Sequence, residues 1–261
     1  MDIGQGITFG AGVNITPQPP PPSSKAIFGY GSEGSMTNLV SNTGVVATDT
    51  TGVGTSRLRL AAASYGGDKA IFGYGQAGAT RYSLTNKVSN TGVVATDTAG
   101  VGTARSSLAA STYGTDKAIF GYGSTGSNTA ITNLVSNTGV VATDTTGVGT
   151  ARQEPAAAGY GTDKAIFGYG YTGTATAITN KVSNTGVVAT DTTGVGTARY
   201  ALAAAGYGVD TAIFGYGAST AGGSTIYSLT NLVSTTGVVA TDTTGVGTVR
   251  YGLAAASYGL S

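Results

Sequence analysis

Twelve carboxylates are the side chains of this 261-residue chain best suited by type to acid–base or metal chemistry, because histidine and cysteine are both absent. Nine of them keep a fixed place in a repeating pattern. Asp49, Asp97, Asp144, Asp191 and Asp242 occupy a Thr-Asp-Thr position, and Asp68, Asp116, Asp163 and Asp210 stand just before a hydrophobic run. Two facing carboxylates could divide the work of general acid and base, and several converging oxygens could hold calcium. One active site, however, needs unlike groups at one place, whereas these acids recur identically. Asp-Thr-Thr-Gly-Val-Gly also departs from the spacing of known calcium loops. The expected roles are therefore turn hydrogen bonding and partnership with Arg57, Arg105, Arg152, Arg199 and Arg250, which also occur once per repeat. Glu33 and Glu154 lie outside the register and read as isolated surface residues. No catalytic residue, metal ligand or cofactor is expected, and the chain is read as a protein other than an enzyme.

The remaining composition narrows the partners. Charged residues make up 10% of the chain, the formal net charge is +1, and the basic residues are scattered singly, so the basic patch needed for nucleic acid is missing. No stretch approaches the roughly 18 apolar residues of a membrane span, and no secretory signal is visible. The 44 glycines carry no Gly-X-Y register, and Val, Ile, Leu, Tyr and Phe recur on a fixed period. Collagen and simple disorder both fit poorly.

The elements that must position these residues follow from that period. The string AIFGYG begins at Ala26, Ala70, Ala118, Ala165 and Ala212, spaced by 44, 48, 47 and 47 residues. Each copy is followed by a Thr-Asn strand, TGVVATDT, GVGT, an Arg and an Ala-rich run ending in Tyr-Gly. In one unit the punctuation separates four strands, Ser107 to Tyr113, Ala118 to Tyr122, Thr132 to Ser136 and Val140 to Thr145, with Asn137-Thr138-Gly139 as a hairpin signal. The Ala-rich runs are too short and Gly-flanked for helices, and their small side chains suit an innermost strand. A period in the mid-forties fits one four-stranded propeller blade.

The pattern Arg-x-x-Leu-Ala-Ala-Ala-x-Tyr-Gly-x-Asp-Lys-Ala-Ile-Phe-Gly-Tyr-Gly resembles the kelch repeat, with Gly-Tyr-Gly replacing the adjacent glycine pair and no tryptophan. The longer TNLVSNTGVVATDTTGVGTAR core is similar to kelch-like repeat proteins predicted in bacteriophage and environmental genomes. The resemblance implies an all-β, five-bladed β-propeller with four-stranded blades, and the phage-like wording implies a virion or extracellular setting.

The chain enters the array at a second strand, Lys25 onward, and leaves it on a first strand, 251–258. Pairing of Leu253, Ala255 and Ser257 beside Ile27 and Phe28 is expected to complete the first blade and close the ring over residues 25–261. Residues 1–16 read as an N-terminal extension strand, alternating through Ile7, Phe9, Ala11, Val13 and Ile15, and 17–24 as a Pro-rich linker. Such a strand could be donated to a neighbouring copy, building a homopolymer: an extracellular filament or virion appendage. The loops after Gly-Tyr-Gly vary most in length and carry Tyr82, Tyr171 and Tyr227. They offer an alternative, lectin-like reading with cell-surface glycans as partners.

Overall fold

In a computed structural model, described for residues 25–31, 34–220 and 225–257 and for the backbone of 8–9 and 13–14, the chain is all-β and its repeats are small antiparallel sheets. The middle strand of each repeat is the AIFG run: Ala26–Gly29, Lys69–Gly73, Lys117–Gly121, Lys164–Tyr171 and Thr211–Gly215. On one side it pairs with the Thr-Asn strand, Thr37–Val40, Thr85–Val88, Thr132–Val135, Ala175–Val182 and Thr230–Val233. On the other it pairs with the Ala-rich strand that precedes it, Ala61–Tyr65, Ala109–Tyr113, Ala156–Tyr160 and Ala203–Tyr207. Ala-rich strands of successive repeats lie against one another, as their small side chains permit. The core is correspondingly divided into clusters that bridge neighbouring repeats, one of which joins Tyr65 and Ile71 to Leu108 and Phe120.

The expected fourth strand is not a regular strand. Val140 to Thr145 touches the third strand only at the isolated bridges Val135↔Val141 and Thr132↔Thr145. The cause is the Asn of Thr-Asn: the side-chain amide of Asn133 donates 3.0 Å to the Ala142 carbonyl, taking an acceptor that a continuous ladder would have used. Asn38, Asn86, Asn180 and Asn231 repeat this insertion.

Ring closure by strand pairing is likewise not seen among the described residues. Residues 251–257 form no strand and pair with none of Ala26–Gly29. Instead Gly252 donates its amide to the Ala201 carbonyl at 2.8 Å and Ser257 Oγ donates to the Gly206 carbonyl at 2.7 Å, so the run follows Ala203–Tyr207. Packing on that neighbour gives Leu253, Ala255 and Ser257 the place of a next inner strand. At the other end Ile27 is half-buried and Phe28 is 60% exposed. The array is open.

The extension also differs from one straight strand. Thr8–Phe9 pairs antiparallel with Val13–Asn14, Phe9 opposite Val13, so the backbone reverses between them. Ile7, Ala11, Ile15 and the 17–24 linker fall outside the described residues.

Candidate functional site

The chemistry-bearing residues gather at the seam between one repeat and the next. Its first component is the tyrosine of Gly-Tyr-Gly. Tyr30, Tyr74, Tyr122, Tyr169 and Tyr216 all have φ between 63° and 66°, a left-handed conformation unusual for a bulky residue. That turn aims each ring away from its strand and sends its hydroxyl to the crossing segment. Tyr122 donates to the Val148 carbonyl at 3.2 Å, for example.

The once-per-repeat arginine stacks on this ring. Its guanidinium carbon lies 4.9 Å from the ring centre for Arg57 over Tyr30, 4.1 Å for Arg105 over Tyr74 and 3.9 Å for Arg152 over Tyr122. Arg199 stacks over Tyr169 at 4.9 Å and Arg250 over Tyr216 at 3.8 Å. The same arginine then reaches the following repeat. Arg152 Nε donates to the Tyr169 carbonyl at 2.7 Å, and Arg152 Nη2 donates to Asn180 Oδ1 at 2.8 Å. Arg57 repeats both bonds with Tyr74 and Asn86, while Arg199 reaches Asn231 and the Leu229 carbonyl. These four seam arginines, Arg57, Arg105, Arg152 and Arg199, are at most 1% exposed. A buried guanidinium needs this many acceptors and a π face to offset lost hydration.

The Thr-Asp-Thr acid closes the seam from the far side. Asp97, Asp144, Asp191 and Asp242 accept from the hydroxyls of Thr55, Thr103, Thr150 and Thr197 in the preceding repeat, each at 2.6 Å, and also from the backbone amide of the same threonine. Each also accepts from the Asn side chain of its own repeat at 2.9 Å. The threonine is thus the principal partner of the acid, where sequence pointed to arginine. A direct Arg–Asp ion pair of the expected kind occurs between Arg57 and Asp97, at 3.4 Å. Burial alone would raise these four carboxyls, but the hydrogen bonds from threonine, asparagine and amide outweigh it and hold each below the ordinary carboxylate value. Burial pushes the phenols of Tyr74 and Tyr122 up, and that of Tyr169 to about 12, against the pull of the stacked arginines.

Phenylalanine supplies the apolar part. Phe72, Phe120, Phe167 and Phe214 lie 5.1 to 5.2 Å from the seam tyrosine of the repeat before. Each ring also covers a glycine of that repeat; a Cβ on Gly121 would stand 2.6 Å from Phe167. AIFG ends in glycine because the next repeat's ring occupies the space.

Asp68, Asp116 and Asp163 instead pair with the adjacent Lys69, Lys117 and Lys164 at the outer turns. The loop tyrosines are not brought together. Tyr171 packs edge-on to Tyr200 at 5.2 Å, Tyr227 accepts from Ser219 Oγ at 3.3 Å, and Tyr82 offers its carbonyl to the Arg105 amide at 3.4 Å. Among the described residues no group of three or more His, Cys, Asp or Glu gathers as a metal cage would.

One feature escaped the sequence. Arg59, Ser107, Glu154, Ala201 and Gly252 all have positive φ, and amide-to-carbonyl bonds link them in series: Ser107 to Arg59, Glu154 to Ser107, Ala201 to Glu154 and Gly252 to Ala201. Glu154 is therefore part of an inner ladder and not an outlying surface residue. Burial raises its carboxyl, with the Arg59 charge opposing. The repeat register held the only signal, since all five residues fall two positions after the seam arginine.

Four seams join successive repeats, of which that of Arg105 lacks the bond to asparagine, with Arg105 Nη2 and Asn133 Oδ1 buried without a partner; a fifth is present in halves. Phe28, Asn38 and Asp49 at the start have no preceding repeat to meet. Gly215, Gly247, Thr248 and Arg250 at the end have no following one, so the space beside Gly247 holds no aspartate, unlike that beside Gly54, Gly102, Gly149 and Gly196.

Neither a protein-family model nor a curated protein matches the chain. Among solved structures, that of YjhT superposes with a TM-score of 0.64 over 90% of this chain and 84% of its own length, at 11% identity. At that identity the likeness concerns the fold alone, and it agrees with an all-β array of repeated sheets.

Proposed function

We propose that this chain is a structural, non-enzymatic protein whose five propeller-like blades self-assemble into an extracellular filament or virion appendage. The observation that carries this reading is the use to which the repeat-locked charges are put. The buried arginines and their aspartate, asparagine and threonine partners are consumed in holding repeat to repeat. Groups engaged in this way serve the joint between repeats, although Arg105 Nη2 and Asn133 Oδ1 are buried without a partner, while a surface of repeated units suits a polymer. The resemblance of the repeat core to phage repeat proteins supports the virion or extracellular setting. Electron microscopy of the purified full-length protein tests the reading. Assemblies of many copies are expected, and dispersed single particles at every concentration would count against it.

A further inference from the structure

The two ends of the array carry complementary halves of the seam. At the start, Phe28 is 60% exposed, whereas Phe120, Phe167 and Phe214 in the same register are fully buried. Asp49 is exposed and, among the described residues, bonds only Asn38, at 2.8 Å, whereas its four counterparts each grip a threonine of the repeat before. At the end, Arg250 is already stacked 3.8 Å over Tyr216 but is exposed, and among the described residues donates only to the Thr248 carbonyl, at 3.3 Å. Gly215 has no ring over it, and a Cβ there would meet nothing closer than Thr230 at 3.4 Å. One end therefore offers a ring and an anion. The other offers a glycine socket, a threonine and a cation.

The strands are split in the same way. Every complete blade pairs an Ala-rich strand with AIFG in one register, as in Ala61↔Gly73, Ala62↔Phe72, Ala63↔Ile71 and Ser64↔Ala70. Ala26–Gly29 lacks its Ala-rich partner, and 254–257 lacks its AIFG partner while already held along Ala203–Tyr207. Within one chain the halves do not meet.

Resting on the self-assembly reading above, we propose that a second copy of this chain completes the seam, so that one blade is built from two chains. Ala26–Gly29 of one copy adds to the free edge of 254–257 in the other, in the register Ala254↔Gly29, Ala255↔Phe28, Ala256↔Ile27 and Ser257↔Ala26. Phe28 then covers Gly215 beside Tyr216, Asp49 receives the Thr248 hydroxyl and amide, and Arg250 donates to the Tyr30 carbonyl and Asn38. The joint is head-to-tail: each copy keeps one free start and one free end, so growth continues unless the rotation closes a ring of copies.

The chain has no cysteine, so introduced thiols report without background. Ala26→Cys and Ser257→Cys alter small, exposed residues that face each other in the proposed register. Mixing the two single variants under mild oxidation should give a disulfide-linked dimer containing one of each, told apart by a mass tag. Adding Phe28→Ser to the Ala26→Cys chain should lower that yield at least tenfold. Sedimentation of the unmodified protein runs alongside. A dilute double variant that forms only an intrachain bond, with no mixed dimer, would overturn the proposal in favour of a self-closing ring. No mixed dimer from a protein that sediments as a polymer would place the joint elsewhere and leave the self-assembly reading standing. No cross-link from a protein that stays monomeric would remove both.

Discussion

The seam arginine is held by geometry more than by charge. Arg152 combines a stacked tyrosine, two carbonyls and an asparagine, a set that suits a planar guanidinium and poorly matches an ammonium. Arg152→Lys should therefore cost about 2–4 kcal/mol of stability in denaturant unfolding, because the fork and the stack are both lost and the acceptors stay buried. A loss below about 0.5 kcal/mol would show that the stack contributes little. The seam acids set an acid limit. Their carboxyls are depressed in the folded chain, so their contribution is fully present above the unfolded value near 3.8 and is lost as pH falls through the lower folded values. Thermal scans should show a midpoint that is flat from neutral pH down to about 5 and falls steeply below about 4. The phenols act in the opposite sense. With Tyr169 raised to about 12, its neutral form stabilises the fold below the unfolded value of 10.0, and that contribution disappears as pH climbs toward 12. Ultraviolet titration should find this phenol ionising together with alkaline unfolding, and a free titration near 10 would contradict its burial.

At the scale of the element, the glycine ending each AIFG strand and the phenylalanine of the next repeat form one unit. Gly121→Ala should destabilise by about 1–3 kcal/mol, since its methyl would stand 2.6 Å from Phe167. Combining it with Phe167→Leu should cost less than the sum of the two single changes. Strict additivity in chemical denaturation would separate the two residues. The strands of the repeating sheets are legible in the sequence, because AIFG, Thr-Asn and the Ala-rich runs are each bounded by glycine or a turn; the short pair Gln76–Ala77 and Thr80–Arg81 in a variable loop is not. The fourth run reads as a strand because a hairpin signal and Gly-Val-Gly-Thr bound it, while the competing bond from Asn133 to Ala142 comes from a side chain nine positions away. The Arg–Asp assignment was only partly right for a related reason. Asp144 and Thr103 are 41 residues apart, and no local pattern ranks threonine above arginine as the acid's partner. The positive φ of the seam tyrosines was similarly hidden, since flanking glycines usually claim that conformation for themselves.

The whole molecule is an array with unequal ends. The first repeat is a two-stranded sheet without an Ala-rich strand and the last Ala-rich run, 251–257, forms no strand, but complementarity alone does not say whether such halves belong to one chain or to two. In this structure Gly252 and Ser257 are bound to the last repeat and Phe28 stands open to solvent. Covering a phenylalanine that is mostly exposed is worth up to about 1.5–3 kcal/mol, and the strand pairing and the Asp49 and Arg250 contacts add to it. Association of rigid copies must also offset lost translational freedom, so a joint of this size should be reversible and sensitive to concentration. The most direct measurement is hydrogen exchange of the backbone amides of 26–29 and 254–257 across a dilution series. Protection rising in both segments together with concentration is the predicted result; protection unchanged at every dilution, or absent throughout, would contradict a blade shared between copies.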